Sequence, residues 1–162
     1  MDKVIFVPVG NYYEKNELID AKHRYNMLKL AIEDNPKLDI ENIAIESKIK
    51  LYAIDTFKLI KEKYYNDDIF FIMGSDNFRK MPNWKKYKEL ITNYNIIVIE
   101  RERKKIRNEN PQNIIEFIPE KLTEIDSTKI REMIKRNENT KEFLHPKVYK
   151  YINDNKLYIT DS

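Results

Sequence analysis

The sequence predicts an α/β domain: a mostly parallel sheet with helices on both faces, in the doubly wound manner. Three observations predict it. The runs "VIFV", "DIFFIM" and "NIIVIE" are continuous stretches of β-branched and aromatic residues, the pattern of strands covered on both faces. Segments with apolar residues at helical spacing alternate with them. Turn and cap residues such as Pro8, Gly10, Asp20 and Gly74 punctuate the alternation, which is the signature of βα units.

Taken in order, Val4 to Val7 forms the first strand, ended by Pro8 and Gly10. Asp20 is placed to cap a helix in which Tyr25, Leu28, Ala31 and Ile32 share a face and which ends before Pro36. A short strand is expected at about Ile40 to Ile45. In "YAIDTFKLIKEKYY", Ala53, Phe57, Ile60 and Tyr64 lie on one helical face. "DIFFIM" is the next strand and runs directly into "GSDNF". A helix across "NWKKYKELITNY" and a core strand at "NIIVIE" repeat the unit. After the polar "RERKKIRNENPQN", a brief apolar segment "IIEFI" leads to two helices, Ser127 to Lys135 and Pro146 to Asn153, and the chain closes on "KLYIT". No internal repeat or linker interrupts this. The expectation is one domain over 1–162 with a C-terminal helical subregion at about 125–158.

The composition bounds the function. With 162 residues, 41% hydrophobic and 35% charged, the chain holds one sizeable core. Thirty basic residues against 27 acidic ones leave +3, and the signs are interspersed, so no nucleic-acid footprint is expected. The absence of cysteine excludes disulfides, thiolate metal sites and cysteine nucleophiles. No apolar run reaches the ~18 residues of a membrane span and no signal peptide is visible, which makes a cytoplasmic protein with no membrane partner the expectation.

In open α/β sheets ligands bind beyond the carboxyl ends of the strands, and three stretches fall there. In "VPVGNYYEKNEL", Lys15 is able to hold a phosphate as a point charge, or is a solvated loop lysine. In "IMGSDNFRKMPNW", Gly74 admits close approach of backbone to a ligand, Ser75 or Asp76 is placed to cap the next turn, and the Asp76 carboxylate is able to accept from a ribose hydroxyl. Trp84 stacks on a heteroaromatic ring or packs in the core. In "EIDSTKIREMI", Asp126 or Ser127 opens a helix whose positive end carries the hydroxyls and amides of Ser127 and Thr128, with Lys129 and Arg131 nearby. An ordinary capped helix is the competing reading. His23 and His145 share no metal-ligand spacing and read as structural or surface residues.

Together the stretches "VIFVPVGNYYEKNEL", "HRYNMLKLAI", "YAIDTFKLI", "FFIMGSDNFRKMPNW", "IIVIERER", "IDSTKIREMI" and "HPKVYKYINDNKLY" resemble the nicotinate-mononucleotide adenylyltransferases of the nucleotidylyltransferase superfamily, in family order from Val4 to Tyr158. The resemblance implies a Rossmann-like nucleotidylyltransferase fold. It implies transfer of adenylate from ATP to nicotinate mononucleotide, with Mg²⁺ carried on the triphosphate and no covalent enzyme intermediate. It also implies site residues. Lys15 and Arg24 would face the mononucleotide phosphate, and Tyr52, at the start of its helix, would frame the nicotinate ring with Trp84. Gly74 and Asp76 would meet the sugars, Arg101 would lie near adenine, and Ser127, Thr128 and Arg131 would grip the ATP phosphates.

Three positions depart from the family pattern. Tyr-Thr before the Asp-Thr pair becomes Tyr52-Ala53, which removes a hydroxyl from the nicotinate side. Ser-Ser-Thr becomes Asp126-Ser127-Thr128, which puts a carboxylate near the expected triphosphate. The family's first, central strand and its His-x-Gly-His element have no counterpart here, so no catalytic residue is assigned. An N-terminally incomplete chain is the favoured expectation; closure of the neighbouring strands, or an oligomer filling the slot, are the others. The alternatives in function are a mononucleotide-binding remnant without transfer activity and an oligomer-dependent module.

Overall fold

A computed structural model describes residues 2–12, 18–100, 114–119 and 125–159. The elements in chain order are β1 (Val4–Phe6), α1 (Ala21–Ile32), β2 (Leu38–Ile40), α2 (Ile43–Glu46), α3 (Ala53–Lys63), β3 (Phe70–Gly74), α4 (Ser75–Lys80), α5 (Tyr87–Asn93), β4 (Asn95–Glu100), β5 (Ile114–Pro119), α6 (Ser127–Lys135) and α7 (Pro146–Asp154). They fall into two compact units, Met1–Leu51 with Glu124–Ser162, and Tyr52–Thr123. Every described ladder is parallel, as the continuous apolar runs predict.

In the first unit β1 pairs with β2, Val4 opposite Leu38 and Phe6 opposite Ile40. Asp20 caps α1 as expected, its side chain accepting from the Lys22 amide. The buried face of α1 differs slightly from the one predicted: Ala31 is exposed, and Met27 and Leu30 pack instead on a cluster of Val148, Ile152 and Leu157. The expected strand at 40–45 is also corrected. It stops at Ile40, and 43–46 turn into α2, where Ala44 is buried. The β-branched residues Ile43 and Ile45 favour a strand, and tertiary packing overrode that preference.

A reason for that turn lies at Gly10. A Cβ there would come within 2.1 Å of the Ala44 carbonyl oxygen, so the loop after β1 lies directly against α2 backbone. Helices α1 and α7 are joined by the Tyr151 hydroxyl, which accepts from Asn26 Nδ2 at 2.9 Å and lies 3.0 Å from His23 Nδ1. The Lys147 ammonium adds an exposed ion pair to Glu33 and Asp34 at the end of α1.

In the second unit β3, β4 and β5 form a three-stranded sheet with β4 central. The "IIEFI" segment is therefore a strand. Ile96 and Val98 of β4 are completely buried and join Ile54, Met73, Met81 and Leu90 in one core; burial of each such side chain is worth ~1.5–3 kcal/mol. Phe57 stands against Phe71 and Tyr94, with ring centroids 4.6 and 4.9 Å apart. The helix expected across "NWKKYKELITNY" begins only at Tyr87. Lys86 stands before it at φ 54, a left-handed conformation that no helix interior tolerates, after a 3₁₀ turn over Met81–Asn83.

Candidate functional site

In the first unit the loop after β1 is fastened to the start of α1. The Asn11 side chain donates to Asp20 Oδ2 at 2.7 Å and accepts from the Ala21 amide at 2.6 Å. Hydrogen bonds from the Lys22 amide and from Asn11 hold the Asp20 carboxyl below the usual range. Arg24, one turn along α1, is half-buried. Its Nε donates to the Ile19 carbonyl at 3.0 Å and its Nη2 reaches the Gly10 carbonyl at 3.5 Å, so its fork is oriented by the two ends of the loop. Burial lowers its pKa, and the charge of Asp20 works against that loss.

At the other anion-directed stretch, Asp126 is the cap of α6, accepting from the Thr128 and Lys129 amides at 2.9 Å each. The Lys129 amide contributes most to holding that carboxyl below its ordinary range. The carboxylate is thus turned onto the helix end, and the Thr128 amide, expected to face an anion, is engaged by it. Arg131 Nη2 donates to Thr128 Oγ1 at 3.0 Å, and Ser127 is exposed. Arg131 and Arg24 act on one phenol: the pKa of Tyr158 is raised by burial, and both guanidiniums pull it down. Asn11 and Tyr158 had no signal in the sequence beyond lying in the quoted stretches.

In the second unit Tyr52 stands at the cap position of α3, and its amide donates to Asp55 Oδ2 at 3.1 Å. Its partly exposed ring carries the Lys85 ammonium 4.2 Å from the centroid. Gly74 is itself the cap residue of α4, at φ −76 and ψ 155, a conformation open to any residue. Ser75 and Asp76 therefore lie inside the helix: Ser75 is buried, and Asp76 is exposed in the first turn with Arg79 at 3.6 Å. Trp84 packs one side on the core, its ring 6.3 Å from that of Phe71. Lys15 and Arg101 lie outside the described residues. His23 meets Tyr151, and His145 caps α7 by accepting from the Lys147 amide at 3.4 Å. Among the described residues no three His, Asp or Glu gather as metal ligands, and no helix is long and apolar enough to cross a membrane.

Parallel ladders joined by helices make this an α/β protein of the Rossmann-like kind, and the Cytidylyltransferase-like family model matches residues 1–133. A Bacillus subtilis nicotinate-nucleotide adenylyltransferase is 34% identical over 160 residues, covering 98% of this chain and 83% of the relative. The "Probable nicotinate-nucleotide adenylyltransferase" of Lactococcus lactis is 37% identical over 160 residues, covering 98% of this chain and 80% of its own length. The chain belongs to the nicotinate-nucleotide adenylyltransferase family. The fold agrees: Plasmodium falciparum nicotinic acid mononucleotide adenylyltransferase, solved in complex with NaAD, superposes with a TM-score of 0.75 at 22% identity, over 98% of this chain and 83% of that one.

Proposed function

We propose that this chain transfers the adenylyl group of ATP to nicotinate mononucleotide, giving deamido-NAD and pyrophosphate, in NAD biosynthesis. An oxygen of the mononucleotide phosphate attacks the α-phosphorus of ATP, the bond to the pyrophosphate oxygen breaks, and no bond to the enzyme forms. The single observation that carries this reading is the match along 98% of the chain to relatives of that name. Residues 1–162 act in it as one functional domain, in the cytoplasm.

The chain's task in such a reaction is alignment and charge. Holding two reactants in register is worth up to ~7–11 kcal/mol of the barrier. Arg24 and Lys15 hold the mononucleotide phosphate; Ser127, Thr128 and Arg131 hold the triphosphate, with Arg131 prepared by its bond to Thr128. Tyr52 and Trp84 frame the nicotinate ring, Gly74 and Asp76 take the sugars, and Arg101 lies at adenine. Mg²⁺ arrives on the triphosphate and neutralises charge on the departing pyrophosphate.

The test is a pyrophosphate-release assay with ATP and Mg²⁺, comparing nicotinate with nicotinamide mononucleotide. Deamido-NAD formed in step with pyrophosphate is expected. Binding of nicotinate mononucleotide without pyrophosphate release would leave only the remnant reading.

A further inference from the structure

Lys85 stands between Trp84 and Lys86, after the 3₁₀ turn over Met81–Asn83 and ahead of α5. The backbone turns left-handed at Lys86, φ 54, and the two adjoining lysines serve different partners. Lys86 Nζ lies 3.7 Å from the Glu89 carboxylate of α5, which also takes Lys58 of α3. The Lys85 ammonium lies instead over the Tyr52 ring, 4.2 Å from its centroid, and among the described residues no carboxylate pairs with it. Asp55, the acid in the first turn of α3, is turned to the Tyr52 amide. Tyr52 and Lys85 are both exposed, so this aromatic face and its cation are open to a ligand.

An open aromatic face beside an ammonium without a carboxylate partner suits a planar ring that carries a negative charge: the face takes the ring and the ammonium takes its carboxylate. Lysine fits the task, because its charge is a compact point on a flexible four-carbon stem that swings without moving backbone. Ala53, next to Tyr52, has no hydroxyl to offer such a carboxylate. Nicotinate and nicotinamide mononucleotides share the phosphate, the ribose and the pyridinium ring, and differ by a carboxylate against a neutral carboxamide. A cation at that substituent separates the two, whereas a contact to ring or phosphate holds both alike. We propose that Lys85 is a specificity-determining residue whose ammonium pairs with the ring carboxylate of the mononucleotide and selects it over the carboxamide. This rests on the adenylyl-transfer reading, in which Tyr52 and Trp84 frame that ring, and it names the residue that chooses between the two mononucleotides.

The test is calorimetric titration of nicotinate mononucleotide and, separately, nicotinamide mononucleotide into the full chain and into Lys85→Met, which keeps an unbranched stem and removes the charge. Nicotinate mononucleotide should bind Lys85→Met about tenfold more weakly, while the affinity for nicotinamide mononucleotide changes by less than about twofold. Lys85→Arg, which restores a cation, should recover most of the loss. Lys85 is exposed, so neither variant disturbs the core. Equal weakening of both ligands, as a contact to the shared phosphate or a structural role would give, overturns the proposal. Unchanged binding of nicotinate mononucleotide to Lys85→Met, a loss in Lys85→Arg as large as in Lys85→Met, or an unaltered chain that binds neither mononucleotide overturns it as well. A carboxylate preference that Lys85→Met abolishes, in a chain that releases no pyrophosphate, would sink the adenylyl-transfer reading and leave this inference standing. Pyrophosphate release with a preference untouched by Lys85→Met would sink this inference alone.

Discussion

Asn11 donates to Asp20 at 2.7 Å while its own carbonyl takes the Ala21 amide, so one amide side chain closes the loop after β1 onto the start of α1. The consequence is that the helix carrying Arg24 has its entry angle set by the strand loop. Asn11→Ala removes both bonds and should destabilise the chain by about 1 kcal/mol, a typical loss for a helix-end contact. Urea unfolding followed by far-ultraviolet dichroism reads this directly. An unchanged midpoint would show that the loop does not brace the helix.

Gly10→Ala should be more severe. The new methyl would meet the Ala44 carbonyl at 2.1 Å, and the obstacle is backbone, so the loop or α2 must shift. Overpacking of this kind costs on the order of 1–3 kcal/mol. The same denaturation measurement checks it, and an unchanged midpoint contradicts the close approach.

Much of this architecture was legible in the sequence, for identifiable reasons. The apolar runs of β3 and β4 and the Asp20 and Asp126 caps are strong local signals, and each formed where expected. The turn into α2 was hidden because Ile43 and Ile45 favour a strand that packing overrode. The late start of α5 depends on one left-handed lysine, Lys86, which no propensity announces. In the candidate site, the helix start that carries Thr128 and Arg131 was legible, and the bond between their side chains was not. The hold of the Gly10 and Ile19 carbonyls on Arg24 was not legible either, since nothing in the spacing shows which way its guanidinium turns.

Acid should expose the two helix caps. Asp20 and Asp126 have folded-state pKa values below the ordinary 3.8, the first through the Lys22 amide and Asn11, the second through the Lys129 and Thr128 amides. A depressed carboxyl contributes stability that is present above the unfolded value and lost as pH falls through the folded one. The stability gap between the unaltered chain and Asp126→Asn should therefore narrow as pH drops below 3.8. A gap that stays constant from pH 6 to about pH 2 contradicts the capping role.

Trp84 packs on the core beside Phe71, and we propose that it also stacks on a substrate ring. Trp84→Phe retains most of the first and weakens the second. The expected result is a near-native melt with the KM for nicotinate mononucleotide raised about three- to tenfold and that for ATP little changed. A proportional rise in both KM values would place Trp84 in packing alone.

The central claim, direct transfer between two aligned nucleotides, is tested most directly by phosphorus NMR of the chain at equal concentration with ATP, Mg²⁺ and nicotinate mononucleotide. The account predicts that pyrophosphate and the diphosphate bridge of deamido-NAD appear together in equal amounts, with no phosphorus signal attached to protein. An adenylylated chain, or a mononucleotide signal that broadens on binding while no pyrophosphate ever forms, would contradict it.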